Sequence, residues 1–386
     1  MRLGIQRFFA LIVLTAFAST VAAKEIGTSK PERQGYSSER LAKITEFMDA
    51  KVDDGTMVGG MGVIMRNGKI IYQQTYGQAD REAGRPMEDD AIYRIYSMSK
   101  PITGVALMML YEDGKFRLND PIAMYMPEFA DLKVATSTAG TNIVSDGTTS
   151  RTVGSGDDSL VGEWRKPTRQ PTIRDLLRHT AGMTYGVFGN TEVDQLYRKA
   201  GLLGDMTLAE FTKALGQLPL QYDPGSQWHY SVSVDVQGRL VEVLSGMSFG
   251  EFLKQRIFAP LDMRDTDFQV NEGNKDRLAQ MYKPMGVDAN NFFSPATGKG
   301  LEVADAFASA RYIYGGKFES GGGGLISTAR DYLRFSQMLL NGGELDGVRI
   351  LSPKTIQLMT TNHLGEMPMG FGRRGAGFGL GFGVVL

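Results

Sequence analysis

The 386-residue chain contains no cysteine. Disulfides, thiol nucleophiles and thiolate metal sites are therefore excluded. Only three histidines occur, His179, His229 and His363, far apart and with no His-x-x-x-His pair, so a catalytic zinc centre is not expected. No metal or other cofactor is implied. Neither sign of charge dominates: 42 Lys and Arg stand against 43 Asp and Glu, a net charge of −1. That balance provides no basic surface for nucleic acid or an anionic membrane. Internal repeats are missing, and beyond the first residues no run is long and apolar enough to span a bilayer.

The chain opens with Arg2 and Arg7, the apolar block "FFALIVLTAFAST" and then Val21-Ala22-Ala23. This reads as a secretory signal peptide, residues 1–23, removed after Ala23. The apolar block is shorter than the ~20 residues a membrane anchor needs. Loss of the two arginines would take the net charge to −3. The mature chain is expected to be exported, periplasmic or secreted, with no membrane partner after cleavage. Its length suits one large domain or two intertwined ones, and nothing specifies an oligomeric state.

"SSERLAKITEFMDAKVDDG" carries Leu41, Ile44, Phe47 and Met48 at helical spacing behind serine caps. "MGVIMRNGKIIYQQTYG" then gives two β-rich runs split by Asn67-Gly68, the pair that favours a tight hairpin. In "IYRIYSMSKPITGVALMMLYEDG", Pro101 places a helix start close to Ser97, because proline is tolerated in the first turn. The run Ile102–Leu110 is apolar on nearly every side, as in a helix at the centre of a molecule. Residues 136–158 are rich in Ser, Thr, Gly and Asp and read as a surface loop. Four helical segments, "PTIRDLLRHTAGM", "MTLAEFTKALGQLP", "VDVQGRLVEVLSG" and "SFGEFLKQRIFAPL", fill residues 168–263. The rest is glycine-rich and β-like, around a helix at 329–340 and a shorter one near Ser352. The pattern predicts an α+β fold, one antiparallel sheet built from both ends of the chain with a mainly helical domain inserted. The expected parts are 24–132, carrying the first half of the sheet domain, 133–304, mainly helical, and 305–386, the second half.

Ser97 and Lys100 stand one helical turn apart, which lets the amine reach the hydroxyl. Serine needs a neighbouring base and an oxyanion site to become a nucleophile, and a helix start supplies free backbone N–H groups. A capping serine beside a surface lysine would show the same spacing. The alternative weakens because the helix is apolar all round, where an inward lysine needs a reason. A second stretch, "DPGSQWHYSVSVDVQGRL", uses a Pro-Gly turn to deliver Trp228, His229, Tyr230 and Ser231 just before a helix. A tyrosine hydroxyl beside a lysine amine is a candidate base. An aromatic anchor at a helix start is the plainer reading of Tyr230 alone.

Ser97-Met98-Ser99-Lys100, Tyr230-Ser231, "PTIRDLLRHTAGM" and "GGGGLISTARDYLRF" together resemble the penicillin-recognising serine hydrolases: class C β-lactamases, D-alanyl-D-alanine carboxypeptidases and family VIII carboxylesterases. The resemblance implies that Ser97 is acylated, that Lys100 and Tyr230 move its proton, and that the Ser97 backbone N–H is half of the oxyanion hole. It also implies a small-molecule ester or lactam as substrate. Two departures shape the expectation. The lactamase branch has Tyr-x-Asn where this chain has Tyr230-Ser231-Val232, which is similar to the esterase branch and favours short-chain esters over lactams. The family's third motif, on a strand lining the cleft, has no counterpart before Leu386, so the second oxyanion donor, the last strands and the closing helix are expected to be missing. An exported ligand binder without turnover is the competing class.

Other motifs read as structure. "GMSFG", residues 246–250, matches the Gly-x-Ser-x-Gly elbow, but a helix and not a strand precedes Ser248, and Ser248 with Glu251 suits a cap. His179 closes "IRDLLRH", where it could bond the last helical carbonyls. His229 could orient substrate or pack on Trp228. "ESGGGGL" lacks the Gly-Lys-Ser/Thr of a phosphate loop, and its glycines suggest close passage of the backbone past another element.

Overall fold

The computed structural model describes residues 25–136, 164–287, 296–304, 306–370 and 375–386. The signal peptide expected at 1–23, and all but Thr136 of the loop expected at 136–158, lie outside the described residues.

Helix α1 (Ser38–Asp53) starts where the Ser37 hydroxyl accepts the Arg40 N–H, and an antiparallel hairpin follows, β1 (Gly59–Arg66) and β2 (Lys69–Asp80). The hairpin turns as expected at Asn67 and Gly68, both at positive φ, the conformation a two-residue turn demands. β3 (Arg85–Pro86) pairs with β2, and β4 (Tyr93–Arg94) leads through a 3₁₀ turn, Tyr96–Met98, into α2 (Ser99–Glu112). From Ile102 to Leu110 every side chain of α2 is buried, so this helix is the axis of the main core.

A short pair, β5 (Val134–Ala135) with β6 (Trp164–Arg165), precedes the helices α3 (Ile173–Leu177), α4 (Glu192–Lys199), α5 (Leu208–Leu215), α6 (Ser233–Ser245) and α7 (Phe249–Leu253). α4 was not among the segments expected from apolar periodicity, because it is short and mostly polar. Its signal was the Thr191–Asp194 capping box. α6 ends at Gly246 with φ 75°, and Ser248 caps α7 by accepting the Glu251 N–H at 3.3 Å, so the Gly-x-Ser-x-Gly match lies in a helix–turn–helix.

β7 (Tyr282–Pro284) pairs with β8 (Leu301–Val303), and α8 (Ala306–Tyr314) follows. β9 (Ile326–Ser327) pairs antiparallel with β4, which is where the two ends of the chain join in backbone hydrogen bonding. α9 (Ala329–Leu340) packs on β1. The remaining elements are the pair β10 (Glu344–Leu345) and β11 (Val348–Arg349), α10 (Pro353–Met359), and the pair β12 (Ala376–Phe378) and β13 (Gly383–Val385). Strand pairing is thus divided into one three-stranded sheet and short two-stranded pairs. No described helix is long and apolar enough to cross a membrane.

Two buried polar groups tie the helical part to the C-terminal part. Asp175 in α3 is fully buried and accepts from Arg169 at 2.6 and 3.0 Å, Arg178 at 3.1 Å and Thr180 at 2.7 Å. Burial alone would raise its pKa, but hydrogen bonds from Arg169, Thr172 and Thr180 outweigh it and hold the carboxyl at about 2. Arg178 also donates to the His363 carbonyl, and the His363 N–H donates to the Phe378 carbonyl, which brings β12 into the network. His179 follows in the left-handed region, φ 56°. Its ring does not bond the carbonyls at the end of α3 as expected. It lies among Trp228, Tyr230 and Phe378 at 5.8, 5.0 and 5.4 Å, and Nδ1 accepts the Ser231 N–H at 3.3 Å. The left-handed turn swings the ring off the helix axis and into this aromatic cluster. Burial, and then the Lys100 charge, push the His179 pKa well below its ordinary value.

Asp175→Asn should destabilise the fold by about 2–4 kcal/mol, since Arg169 and Arg178 lose their anion. Thermal melts should show the deficit at pH 7 and a shrinking difference from wild type as pH falls from about 4 towards 2. The depressed carboxyl contributes its stability above the unfolded pKa and loses it on protonation. His179 gives the opposite window. The unfolded chain takes up a proton near pH 6.5 that the buried ring refuses, so stability should fall as pH drops through 6.5. His229 and His363, also lowered by burial, act in the same direction. His179→Asn, which suits positive φ, should flatten the melting temperature between pH 7.5 and 5.5.

Candidate active site

The 3₁₀ turn that feeds α2 sets Ser97 on the surface, while the next turn carries Lys100 inward to 7% exposure. Proline at position 101 is accommodated because the first-turn amides have no helical partners. Tyr96, with φ 42°, makes the bend that turns Ser97 towards the cleft. The Lys100 amine donates to Ser97 Oγ at 3.1 Å and to the Gly322 carbonyl at 2.5 Å. Its remaining surroundings are aromatic faces, Tyr230 at 4.7 Å and Tyr185 at 5.4 Å from the ring centres. These faces attract the amine without adding a carboxylate, so it is oriented without being locked in a salt bridge.

Tyr230 comes from the loop before α6, 133 residues away, and its hydroxyl donates to Ser97 Oγ at 2.7 Å. The loop is shaped from beneath by the network around Asp175. Gly225 N–H donates to the Thr180 carbonyl, Gln221 N–H to the Gly182 carbonyl and His229 N–H to the His179 carbonyl. Gly182 is at φ 84°, and a Cβ there would lie 2.0 Å from the Tyr222 carbonyl oxygen, so glycine is required for this approach. Trp228 stacks on Tyr230 at 6.1 Å, and His179 packs on both rings, at 5.0 Å from Tyr230 and 5.8 Å from Trp228.

The structure therefore brings Ser97, Lys100 and Tyr230 within hydrogen-bond reach of one oxygen. His229 is not among them. Its Nε2 meets Thr184 Oγ1 at 3.4 Å and its ring packs on Tyr222 at 5.1 Å, so it neither faces the cleft nor rests on Trp228 as expected. Val232 is wholly buried in the main core and offers nothing to a ligand. Three participants were not singled out from sequence. Tyr185 covers the amine, the Gly322 carbonyl binds it, and Asp235 holds Gly322 from behind through its N–H at 3.0 Å. Asp235 had a legible signal, an acidic residue in the otherwise apolar start of α6. Tyr185 had none, since nothing local separates it from other loop tyrosines.

Ser97, Lys100 and Tyr230 open into a cleft of about 240 Å³ whose far wall is apolar, formed by Val187, Phe188, Leu203, Tyr312 and Phe318. A larger hollow of about 640 Å³ lies between the β1–β2 turn and α9, remote from this chemistry. Burial, then the nearby Asp235 and Tyr230, push the Tyr185 phenol well above its ordinary value, so it stays neutral beside the amine. An amine and a phenol around the Ser97 oxygen, in a cleft of largely apolar lining that also includes Arg311, can take a proton from serine and return it to a leaving group.

Residues 43–385 match the family model described as Beta-lactamase. Over 349 residues the chain is 33% identical to Protein Rv1367c of Mycobacterium tuberculosis, covering 89% of this chain and 77% of that one. Esterase EstB of Burkholderia gladioli is 30% identical over 348 residues, covering 88% and 78%. Among solved structures, EstCE1, described as a hydrolase with promiscuous acyltransferase activity, superposes with a TM-score of 0.66 at 28% identity, covering 90% of this chain and 83% of that one. The helical axis of α2, the Ser97–Lys100 turn and the Tyr230 loop thus stand in a chain that belongs to the β-lactamase family.

Proposed function

We propose that this chain is a serine hydrolase acting on short-chain carboxylic esters through an acyl-enzyme on Ser97, with weak β-lactam hydrolysis alongside. The observation that carries the reading is the convergence of Tyr230 Oη and Lys100 Nζ on Ser97 Oγ, at 2.7 and 3.1 Å, at the mouth of an apolar-walled cleft. In the first half-reaction Ser97 Oγ bonds to the ester carbonyl carbon while its proton passes to the Tyr230–Lys100 pair. The carbonyl oxygen becomes an oxyanion, for which the Ser97 backbone N–H, in the turn before α2, is the donor. Collapse breaks the bond to the leaving alkoxide, which takes the proton. Water then attacks the acyl-Ser97 carbonyl with the same pair as base, releasing the acid and restoring Ser97.

Substrate preference follows from the walls. A small acyl chain can displace water from Val187, Phe188 and Phe318, gaining about 0.8 kcal/mol per buried methylene. The buried Val232 supplies no amide to hold a lactam side chain, which supports ester over lactam. EstB, named an esterase, supports the same preference. Export with loss of residues 1–23 belongs to this reading, supported by the charged and apolar leader; amino-terminal sequencing of protein recovered outside the cytoplasm should begin at Lys24.

Turnover of p-nitrophenyl butyrate, nitrocefin and a D-alanyl-D-alanine peptide should rank in that order by kcat/KM. Ser97→Ala should abolish ester turnover, and a serine-directed phosphonate should add one adduct to Ser97 in the wild type and none in the variant, read by peptide mass mapping. Tyr230→Phe should lower kcat by about 10²–10⁴, the usual size of a lost proton-transfer group. Saturable binding of ester without product in a folded chain would reverse the reading in favour of a binder, and a lactam preferred to the ester would move it to the lactamase branch.

A further inference from the structure

Between α2 and α6 lies a carboxyl group that the acylation steps do not touch. Asp235 is wholly buried, and its Oδ1 accepts from Ser320 Oγ at 2.5 Å and from the Gly322 N–H at 3.0 Å. Its Oδ2 is buried with no hydrogen-bond partner among the described residues. A buried carboxylate with an unpaired oxygen is expensive, and stability alone does not call for it. Asparagine would keep the Oδ1 contacts without placing an anion there.

The reason for an acid lies on the other side of Gly322. The residue that gives its N–H to Asp235 gives its carbonyl to the Lys100 amine. One glycine thus stands between a buried acid and a buried base. No carboxylate among the described residues lies within ion-pair distance of Lys100, so Asp235 acts on the amine through this residue and through space. Burial raises the Asp235 carboxyl above its ordinary value, against the opposing pull of the bonds from Ser320 and Gly322 and then of nearby Lys100. The loop that carries Gly322 has little freedom. Thr103 Oγ1 donates to the Gly321 carbonyl at 2.9 Å, and Ser99 Oγ accepts the Leu325 N–H at 3.2 Å. A Cβ at Gly321 would lie 2.6 Å from the Val234 carbonyl oxygen, and one at Gly322 would lie 2.7 Å from Tyr185 Oη and 2.8 Å from Asp235 Oδ2. Glycines here are what allow the carboxylate to come this close.

Resting on the acyl-enzyme reading of Ser97, we propose that Asp235 is a positioning residue for acylation. Its carboxylate fixes Gly322 so that the carbonyl aims the Lys100 amine at Ser97 Oγ, and its negative charge balances the positive charge that builds on the amine as the serine proton arrives. The balancing charge is fixed before substrate binds, so no reorganisation is needed during the step. Tyr185 and Tyr230 supply aromatic faces to the same amine but no net charge.

The test compares wild type with Asp235→Asn and Ser320→Ala, using p-nitrophenyl butyrate kinetics, melting temperature, and the rate of phosphonate addition to Ser97. Asp235→Asn should lower kcat about 10- to 30-fold, the scale of a lost charge-assisted interaction, with KM within about twofold. Its melting temperature should equal or exceed that of the wild type, and phosphonate should still add to Ser97, more slowly. Ser320→Ala removes the largest of the interactions that favour the ionised Asp235 but leaves the carboxyl in place, and should lower kcat in the same direction by less than Asp235→Asn does. An unchanged kcat in Asp235→Asn, loss of its folded state, or a larger loss of kcat in Ser320→Ala than in Asp235→Asn would overturn the proposal and leave Asp235 as part of the hydrogen-bonded framework. A folded wild type that forms no Ser97 adduct and turns over no ester would instead overturn the acyl-enzyme reading, and the role of Asp235 with it.

Discussion

The arrangement depends on one awkward fact, a lysine amine carried into the interior at the start of a helix that is buried on every side. α2 is surrounded by the core from Ile102 to Leu110, and Lys100 sits two residues before that stretch at 7% exposure. A lysine amine there needs partners, and the fold provides one carbonyl, one serine hydroxyl and two aromatic faces. Each comes from a different part of the chain. The core helix, the glycine loop and the loop before α6 must therefore be assembled together before the amine is satisfied. Stability of the interior and orientation of the nucleophile become the same problem.

The solution uses rigid supports behind mobile-looking segments. The Tyr230 loop has no regular structure, yet it is bonded to the stretch after α3 by four backbone hydrogen bonds and packed against by His179 and Trp228. That stretch is in turn held by Asp175, whose carboxylate has two arginines and two threonines around it. The glycine loop before β9 is pinned from α2 by Ser99 and Thr103 and from α6 by Asp235. Short polar side chains and glycines dominate at these contacts because backbone must approach backbone.

Membership of the β-lactamase family and the ester preference rest on different parts of the structure. The family is carried by the whole chain from residue 43 to 385 and by the Ser97–Lys100 turn. The proposed preference rests on the largely apolar lining of the cleft and on Val232, which is buried in the core and offers no amide to a lactam side chain. A shared scaffold with a locally altered wall is how one fold supports several acyl-transfer activities.

Much was legible without the structure wherever the cause is local. The Asn67-Gly68 turn, the caps at Ser37 and Ser248, the centre helix from Ile102 to Leu110 and the one-turn spacing of Ser97 and Lys100 follow from backbone preference and periodicity over a few residues. The sequence by itself determined which side chains could carry chemistry. Only the tertiary structure decided which ones meet: Tyr230 with Ser97 across 133 residues, Gly322 with Lys100 across 222, Asp235 with Gly322 across 87. It also turned His229 away from the cleft and drew Tyr185 into it, although the two residues look alike as loop aromatics. The physical reason is that hydrogen bonds and ring contacts act over a few ångströms in space, and distance along the chain carries no information about them until the core has brought the segments together.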